Sequence, residues 1–231
     1  LTLNNNMKCE VTGEGKIRDN VDNGAFEGVH TKEFNFDIDP IRETSQGLEI
    51  DEWEQTFPED YSDYYYDNID RYGFDAILTA EVEYRCEDDV GAGPTICQDE
   101  SRCGLRETIP KSEIKADNLP IVVDAIQKRI SKGQFGVRRT ILDITLLQKI
   151  DGVPYYNEEE AVFIQVDGIG EGMYTCDPEV IEWDGNTGTT QCWLDVTDEL
   201  NDVITHITLE YDFKASTQVT IKVKNDEVQG V

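Results

Sequence analysis

The segment Leu78-Thr79-Ala80-Glu81-Val82-Glu83-Tyr84-Arg85-Cys86 alternates apolar with polar side chains. Alternation with a period of two places the apolar set on one face of a β-strand and the charged set on the other. Residues 203–213 and 219–223 repeat the pattern, while 140–150 and 161–166 are more evenly apolar. The sequence therefore predicts a mainly β fold, an antiparallel β-sandwich-like domain stapled by disulfides.

One segment follows helical spacing instead. Asp117 or Asn118 supplies a capping side chain, Pro120 stands in the first turn, and Gly133 ends the run. The polar face is short and mixed, so a core position is favoured over a membrane or partner-binding helix. We expect one α-helix packed across a sheet, with an apolar stripe of Leu119, Val122, Val123, Ile126 and Ile130.

The two parts of the chain differ in composition and in apolar patterning. Residues 10–75 are rich in Gly, Asn and Asp and have few long apolar runs, whereas 76–231 hold most of the predicted strands. We expect a single β-rich domain over 1–231 with a loop-rich, acidic N-terminal third. Residues 41–75 are predicted to be an acidic, aromatic-rich insertion or loop, and a sub-boundary is placed near 104–116.

The cysteines indicate an oxidising compartment. The chain has six, an even number, with no CxxC pair and no neighbouring His at metal-ligand spacing. Cys176 and Cys192 are equidistant from Asp184, which opens a turn, so we expect these two to bond. A Gly/Pro/Asp-rich loop is bordered by Cys86, Cys97 and Cys103. We expect two of these three cysteines to bond each other and the third to bond Cys9 near the N-terminus.

The charge balance limits the partners. Asp and Glu number 49 against 20 Lys and Arg, a formal net charge of −29 at pH 7. Such an anion repels nucleic acid and anionic membranes, and no run of eighteen apolar residues predicts membrane insertion. We expect an extracellular chain, secreted or at the cell surface, from which any targeting segment has been removed.

Calcium is the cofactor that charge and compartment favour. Hard cations bind clustered carboxylate and carbonyl oxygens, which several short acidic stretches supply. None of these stretches matches the EF-hand loop. The alternative explanation of the acidic stretches is that they are solvated turns or an adaptation to high salt. The predicted Ca²⁺ ligands are Asp37, Asp39, Asp63, Asp67, Asp70 and Asp184.

Aromatic and acidic residues crowd together in 49–75. One interpretation is a covering loop with its rings packed on the sheet. A second is an interaction surface that selects a basic partner, since Tyr and Trp give large contact area at low entropic cost. A third is stacking on a glycan. The candidate surface consists of Trp53, Phe57, Tyr61, Tyr64, Tyr65, Tyr66 and Tyr72.

Catalytic patterns are weak. His30 and His206 are the only two histidines, and neither lies near a Ser or Cys pattern that would make a hydrolase triad. A carboxylate pair for glycoside hydrolysis has too many candidates to be located. The Gly-rich piece at 168–172 is flanked by acids and is not followed by a helix, which favours a turn over a phosphate loop. We expect no enzyme.

The two chain ends are strand-like, which bears on assembly. Residues 1–3 and 7–11 alternate at one end and 219–223 at the other. We expect a structural or adhesive surface protein that binds itself or another extracellular protein. The terminal strands either pair at sheet edges within the chain or join a neighbouring copy into a filament by β-strand addition. The alternative is a carbohydrate-binding module or carbohydrate-active enzyme that uses the aromatic segment 49–75.

Overall fold

A computed structural model describes residues 1–5, 10–19, 31–45, 47–55, 74–86, 92–114, 119–132, 138–169, 172–196 and 202–223. The chain divides into two compact units, one of residues 1–6, 10–85 and 214–231 and the other of 7–9 and 86–213. The predicted sub-boundary at 104–116 lies inside the second unit. The single-domain expectation stays a prediction.

Strands dominate the described residues, which confirms the predicted fold class. One helical turn, α1, covers Glu100–Cys103. The first seven strands are β1 Thr2–Asn4, β2 Val11–Asp19, β3 Thr31–Ile38, β4 Arg42–Thr44, β5 Gly47–Glu49, β6 Glu52–Glu54 and β7 Phe74–Cys86. The next six are β8 Ala92–Ile96, β9 Arg106–Thr108, β10 Ile121–Lys132, β11 Arg138–Gln148, β12 Val153–Tyr155 and β13 Ala161–Gly168. The last six are β14 Gly172–Met173, β15 Thr175–Asp177, β16 Val180–Glu182, β17 Thr187–Val196, β18 Val203–Glu210 and β19 Asp212–Val223.

The first unit contains a sheet in which β19, β7, β2 and β3 are neighbours in that order. Strands β1 and β6 form a separate short ladder, and β4 and β5 form a hairpin. Most of the described residues in the N-terminal third, which we expected to be loop-rich, lie in strands.

Glycine lets aromatic rings lie across β2. Gly13 is opposite Phe36 and Gly15 is opposite Phe34 in the β2–β3 register. A Cβ at Gly15 would lie 2.6 Å from Cε2 of Phe34. The indole of Trp53 in turn stacks on Phe34 with ring centroids 5.0 Å apart. The space above Gly15 thus fixes the position of the ring on which Trp53 packs.

We expect Gly15→Ala to lower the free energy of unfolding by about 1–3 kcal/mol, because the added methyl displaces the Phe34 ring. Chemical denaturation followed by tryptophan fluorescence measures the change. Thr12→Ala, an exposed position on the same strand, is the control and should stay within about 0.5 kcal/mol of wild type. Equal effects of the two substitutions would contradict the packing argument.

The second unit has two antiparallel sheets. One has the order β15, β17, β11, β10, β9, which we call the long sheet, and the other has the order β14, β13, β18, β8, with β16 also paired to β13. Each sheet has a buried apolar face. The indole N–H of Trp183 donates a hydrogen bond of 2.8 Å to Gln148 Oε1. Fully buried side chains on these faces include Ile126, Leu142, Ile144, Leu146, Val162, Ile164 and Ile207.

The predicted helix over 119–132 is wrong. These residues form β10, which pairs with β11 over nearly its whole length and with β9 on its other side. The register shifts between Val123 and Ala125, so Asp124 is an extra residue in a β-bulge. The bulge changes which alternate positions face inward. Val123 and Ile126 are consequently both buried although three residues apart, a separation that imitates helical spacing.

The structure contains two disulfides among the described cysteines. Cys176 on β15 lies opposite Cys192 on β17 and is bonded to it, as predicted. The two strands are not a simple hairpin, because β16 lies between them in sequence and pairs with β13. Cys97 bonds Cys103 and closes a short loop.

Elimination leaves Cys9 for Cys86, and Cys9 lies outside the described residues. We expect peptide mapping without reduction to give three bonds, Cys9–Cys86, Cys97–Cys103 and Cys176–Cys192. Proteolysis after blocking of free thiols, followed by mass spectrometry, checks the pairing. Recovery of alkylated Cys86 would contradict it.

Candidate functional site

Of the predicted interaction surface, the structure describes only Trp53. This side chain is half-buried, with its ring centroid 5.0 Å from that of Phe34 and 6.1 Å from that of Phe36. Trp53 therefore packs on β3. The remaining candidates lie outside the described residues: Phe57, Tyr61, Tyr64, Tyr65, Tyr66 and Tyr72.

The predicted calcium ligands do not gather in the described part of the chain. Asp37 is exposed on β3, and the carboxylate of Asp39 pairs with Arg42. Asp184 begins the turn into β17, and its unit is not that of the other two. Within the described ranges, no group of three or more His, Cys, Asp or Glu side chains is placed to hold a metal ion. Asp63, Asp67 and Asp70 lie outside those ranges.

The most unusual polar group in the described residues is a lysine inside the second unit. Lys128 on β10 has a side chain with 0% exposure, between the buried Ile126 and Ile130. Its Nζ donates hydrogen bonds to Glu107 Oε2 at 2.8 Å and to the Cys97 carbonyl at 3.0 Å, and it lies 3.1 Å from Cys103 Sγ. We call Lys128, Glu107, Gln98 and the Cys97–Cys103 bond the buried-lysine cluster.

Strand register places the cluster. Glu107 on β9 lies directly opposite Lys128 on β10. The loop that carries the disulfide connects β8 of one sheet to β9 of the other, so it lies where the chain crosses between the sheets. A buried ammonium requires acceptors on several sides. Here a carboxylate, a carbonyl and a sulfur supply them.

Local sequence shapes the disulfide loop. Asp99 Oδ1 accepts hydrogen bonds from the Ser101 backbone N at 2.9 Å and from its Oγ at 2.7 Å. These bonds hold the pKa of Asp99 below its ordinary value, the side-chain bond most strongly. Asp99 thus caps α1, and Gly104, with φ of 75°, ends the turn. The turn brings Cys103 back beside Cys97.

Gln98 is the second unusual group in the cluster. Its side chain is only 2% exposed, and neither Nε2 nor Oε1 has a hydrogen-bond partner. An unsatisfied buried amide destabilises the conformation that buries it. Gln98 lies in the segment 97–103, which the Cys97–Cys103 bond closes.

A row of ionic hydrogen bonds crosses the other face of the long sheet. Asp143 accepts from Arg129 Nε at 2.8 Å, from Arg129 Nη2 at 3.0 Å and from Gln191 Nε2 at 2.8 Å. The bond from Arg129 is the main reason why the pKa of Asp143 lies below its ordinary value. Arg139 makes a similar two-bond pair with Asp195 and lies 5.6 Å from the Trp193 ring centroid.

We expect Asp143→Asn to lower the free energy of unfolding by about 1 kcal/mol at neutral pH; the partial exposure of the pair limits the loss. A carboxyl with a lowered native pKa stabilises the fold above its unfolded pKa, about 3.9. The difference between wild type and variant should be constant at neutral pH and should shrink as the pH falls below that value. Denaturant unfolding over a pH series measures it.

The comparison with Asp151→Asn controls for general charge effects, because Asp151 is exposed in a turn. Its difference from wild type should be small at every pH. A wild-type advantage over Asp143→Asn that grows on acidification would contradict the assignment of the pKa shift.

Comparisons with protein-family models, with curated proteins and with solved structures gave no match to this chain.

Proposed function

We propose that this protein is an extracellular structural or adhesive surface protein whose copies join by β-strand addition. Disulfides and a mainly β fold support an extracellular scaffold. The described residues contain no helix long and apolar enough to cross a membrane. The observation that carries the assembly proposal is the outer strand of the first unit's sheet. β3 has eight residues, and among the described strands only β2 is its neighbour in that sheet.

The charges on β3 disfavour its pairing with a second β3. Glu33 and Asp37 are both exposed and point to the same face as Asn35. An antiparallel pair centred on Asn35 would place Glu33 opposite Asp37 of the second copy. Like charges opposite each other destabilise a sheet, so the partner strand must be of another kind.

The strand β19 of a second copy has the required chemistry. Its residues 216–220 are exposed, and the one charged side chain in 216–222 is the cation Lys222. In the proposed contact, residues 216–222 of this strand lie against β3 of the next copy. Such a head-to-tail contact uses two different surfaces and does not close on itself, which produces a filament.

Calcium enters the proposal as a stabiliser of the acidic scaffold. Bound cations would offset the self-repulsion of a chain with net charge −29. The predicted ligands Asp63, Asp67 and Asp70 carry this part of the proposal.

Glycan binding is the competing function. In the described residues, Trp53 is engaged with Phe34 and Phe36 rather than presented on an open face. A glycan would therefore have to stack on the Phe and Tyr residues of 57–72. The assembly proposal is supported instead by β3, for which the structure gives the register with β2 and the exposed charged side chains.

A charge-exchange experiment tests the head-to-tail contact. We expect wild type to form filaments with rising protein concentration and calcium, while Glu33→Lys alone and Lys222→Glu alone stay monomeric because each sets like charges at the contact. A mixture of the two variants should assemble, since every β3–β19 contact then joins opposite charges. Sedimentation velocity and negative-stain microscopy give the readout.

The matched control is Glu182→Lys, the same charge change at an exposed position on β16 in the other unit. It should assemble like wild type. Monomeric wild type at every protein and calcium concentration would overturn assembly itself. Filaments of Glu33→Lys alone would overturn the assignment of β3.

A further inference from the structure

The Cys97–Cys103 bond differs from the Cys176–Cys192 bond in its surroundings. Cys176 and Cys192 are buried, at 6% and 0% exposure, on the apolar face of the long sheet. Cys97 and Cys103 are both half-exposed. Each of their sulfurs also has a cationic side chain beside it, and the two cations differ in burial.

The cation beside Cys103 is the buried Lys128. Lys128 Nζ lies 3.1 Å from Cys103 Sγ, and the lysine side chain is shielded from water. A thiolate formed at this sulfur would replace a neutral acceptor of the ammonium with an anionic one. Thiolates beside Lys or Arg are stabilised, and a stabilised thiolate is a faster leaving group in thiol–disulfide exchange.

The cation beside Cys97 is the exposed Arg102. Arg102 Nη2 lies 3.5 Å from Cys97 Sγ, and the arginine side chain is 57% exposed and also pairs with Asp202. An incoming thiolate is an anion, so a solvent-accessible guanidinium beside Cys97 favours approach to that sulfur. The two cations therefore give the two sulfurs different roles.

We propose that the Cys97–Cys103 disulfide is a site of covalent modification by small-molecule thiols, with Cys97 as the sulfur attacked and Cys103 as the leaving group. The thiolate RS⁻ forms an S–S bond with Cys97 Sγ while the Cys97–Cys103 bond breaks, and its electron pair leaves on Cys103 Sγ beside Lys128. No proton moves. A second RS⁻ can then attack the sulfur of R, which releases RSSR and the Cys97 thiolate.

The closed loop favours this reaction in a second way. Gln98 stands between the attacked cysteine and the rest of the loop, buried and without a hydrogen-bond partner. Exchange removes the covalent closure, so the loop can open and Gln98 can be hydrated. This inference does not depend on the proposed assembly, since the cluster belongs to the other unit.

Reduced glutathione is the probe for the test. The full chain is incubated with glutathione buffers of rising reducing strength, free thiols are alkylated, and adducts are located by mass spectrometry. We expect a glutathione adduct on Cys97 and a free, alkylated Cys103. Cys176–Cys192 should stay intact over the same range and serves as the internal control.

Variants identify the role of Lys128. Lys128→Met removes the ammonium at similar volume, and we expect half-conversion to require roughly tenfold more reduced glutathione, because the leaving thiolate loses the cation beside it. Glu107→Gln removes the competing carboxylate, which should make conversion easier. Lys111→Met is the matched control, because Lys111 is an exposed lysine of the same unit paired with Asp124, and it should behave as wild type.

Several results would overturn the proposal. They are equal reduction of both disulfides, an adduct on Cys103 in place of Cys97, and an unchanged glutathione concentration at half-conversion in folded Lys128→Met. Circular dichroism establishes whether Lys128→Met folds. If it does not, Glu107→Gln decides the question, and an unchanged midpoint in that variant counts against the inference.

Discussion

The second unit depends on the antiparallel register of β10, β11 and β17. That register aligns one row of residues across the long sheet, in the order Glu107, Lys128, Leu142, Cys192, Cys176. Leu142 and Cys192 are fully buried, and the Cys176–Cys192 bond lies at one end of the row. The buried-lysine cluster lies at the other. A slip by one residue would turn the whole row toward solvent and separate both groups.

Charge is organised differently on the two faces of the long sheet. On the inner face, the described residue Lys128 is fully buried and has acceptors around its ammonium, since an unpaired buried charge is strongly destabilising. The outer face carries pairs such as Arg129 with Asp143 and Arg139 with Asp195, which water partly screens. Basic residues are scarce in this chain, and several of those described are used to fix neighbouring strands.

Period-two patterning located β7 and β18, and β18 also has the expected alternation between buried and more exposed side chains. The same rule failed on β10 for two physical reasons. The bulge at Asp124 reversed the phase, and Lys128 stood at an inward position where an apolar residue was expected. Single-sequence patterns carry no information on a charge that is buried through its tertiary partners.

Equal spacing around Asp184 predicted the Cys176–Cys192 bond, although the two strands are not the expected hairpin, since β16 lies between them in sequence and pairs with β13. The buried-lysine cluster required more. Glu107 and Lys128 meet only through the β9–β10 pairing, and the disulfide loop reaches them only because β8 and β9 belong to different sheets. A lysine flanked by Ile126 and Ile130 at period two was the one available signal, and the helical interpretation concealed it.

The two described disulfides show how one kind of bond acquires different chemistry from its surroundings. Cys176 and Cys192 are buried, so a thiolate there would be poorly solvated and exchange is opposed. Around Cys97–Cys103, a buried ammonium stands on one side and an exposed guanidinium on the other. The first bond serves to hold two strands in register. The second closes a loop beside two cations, and this arrangement is the basis of the proposed exchange with small-molecule thiols.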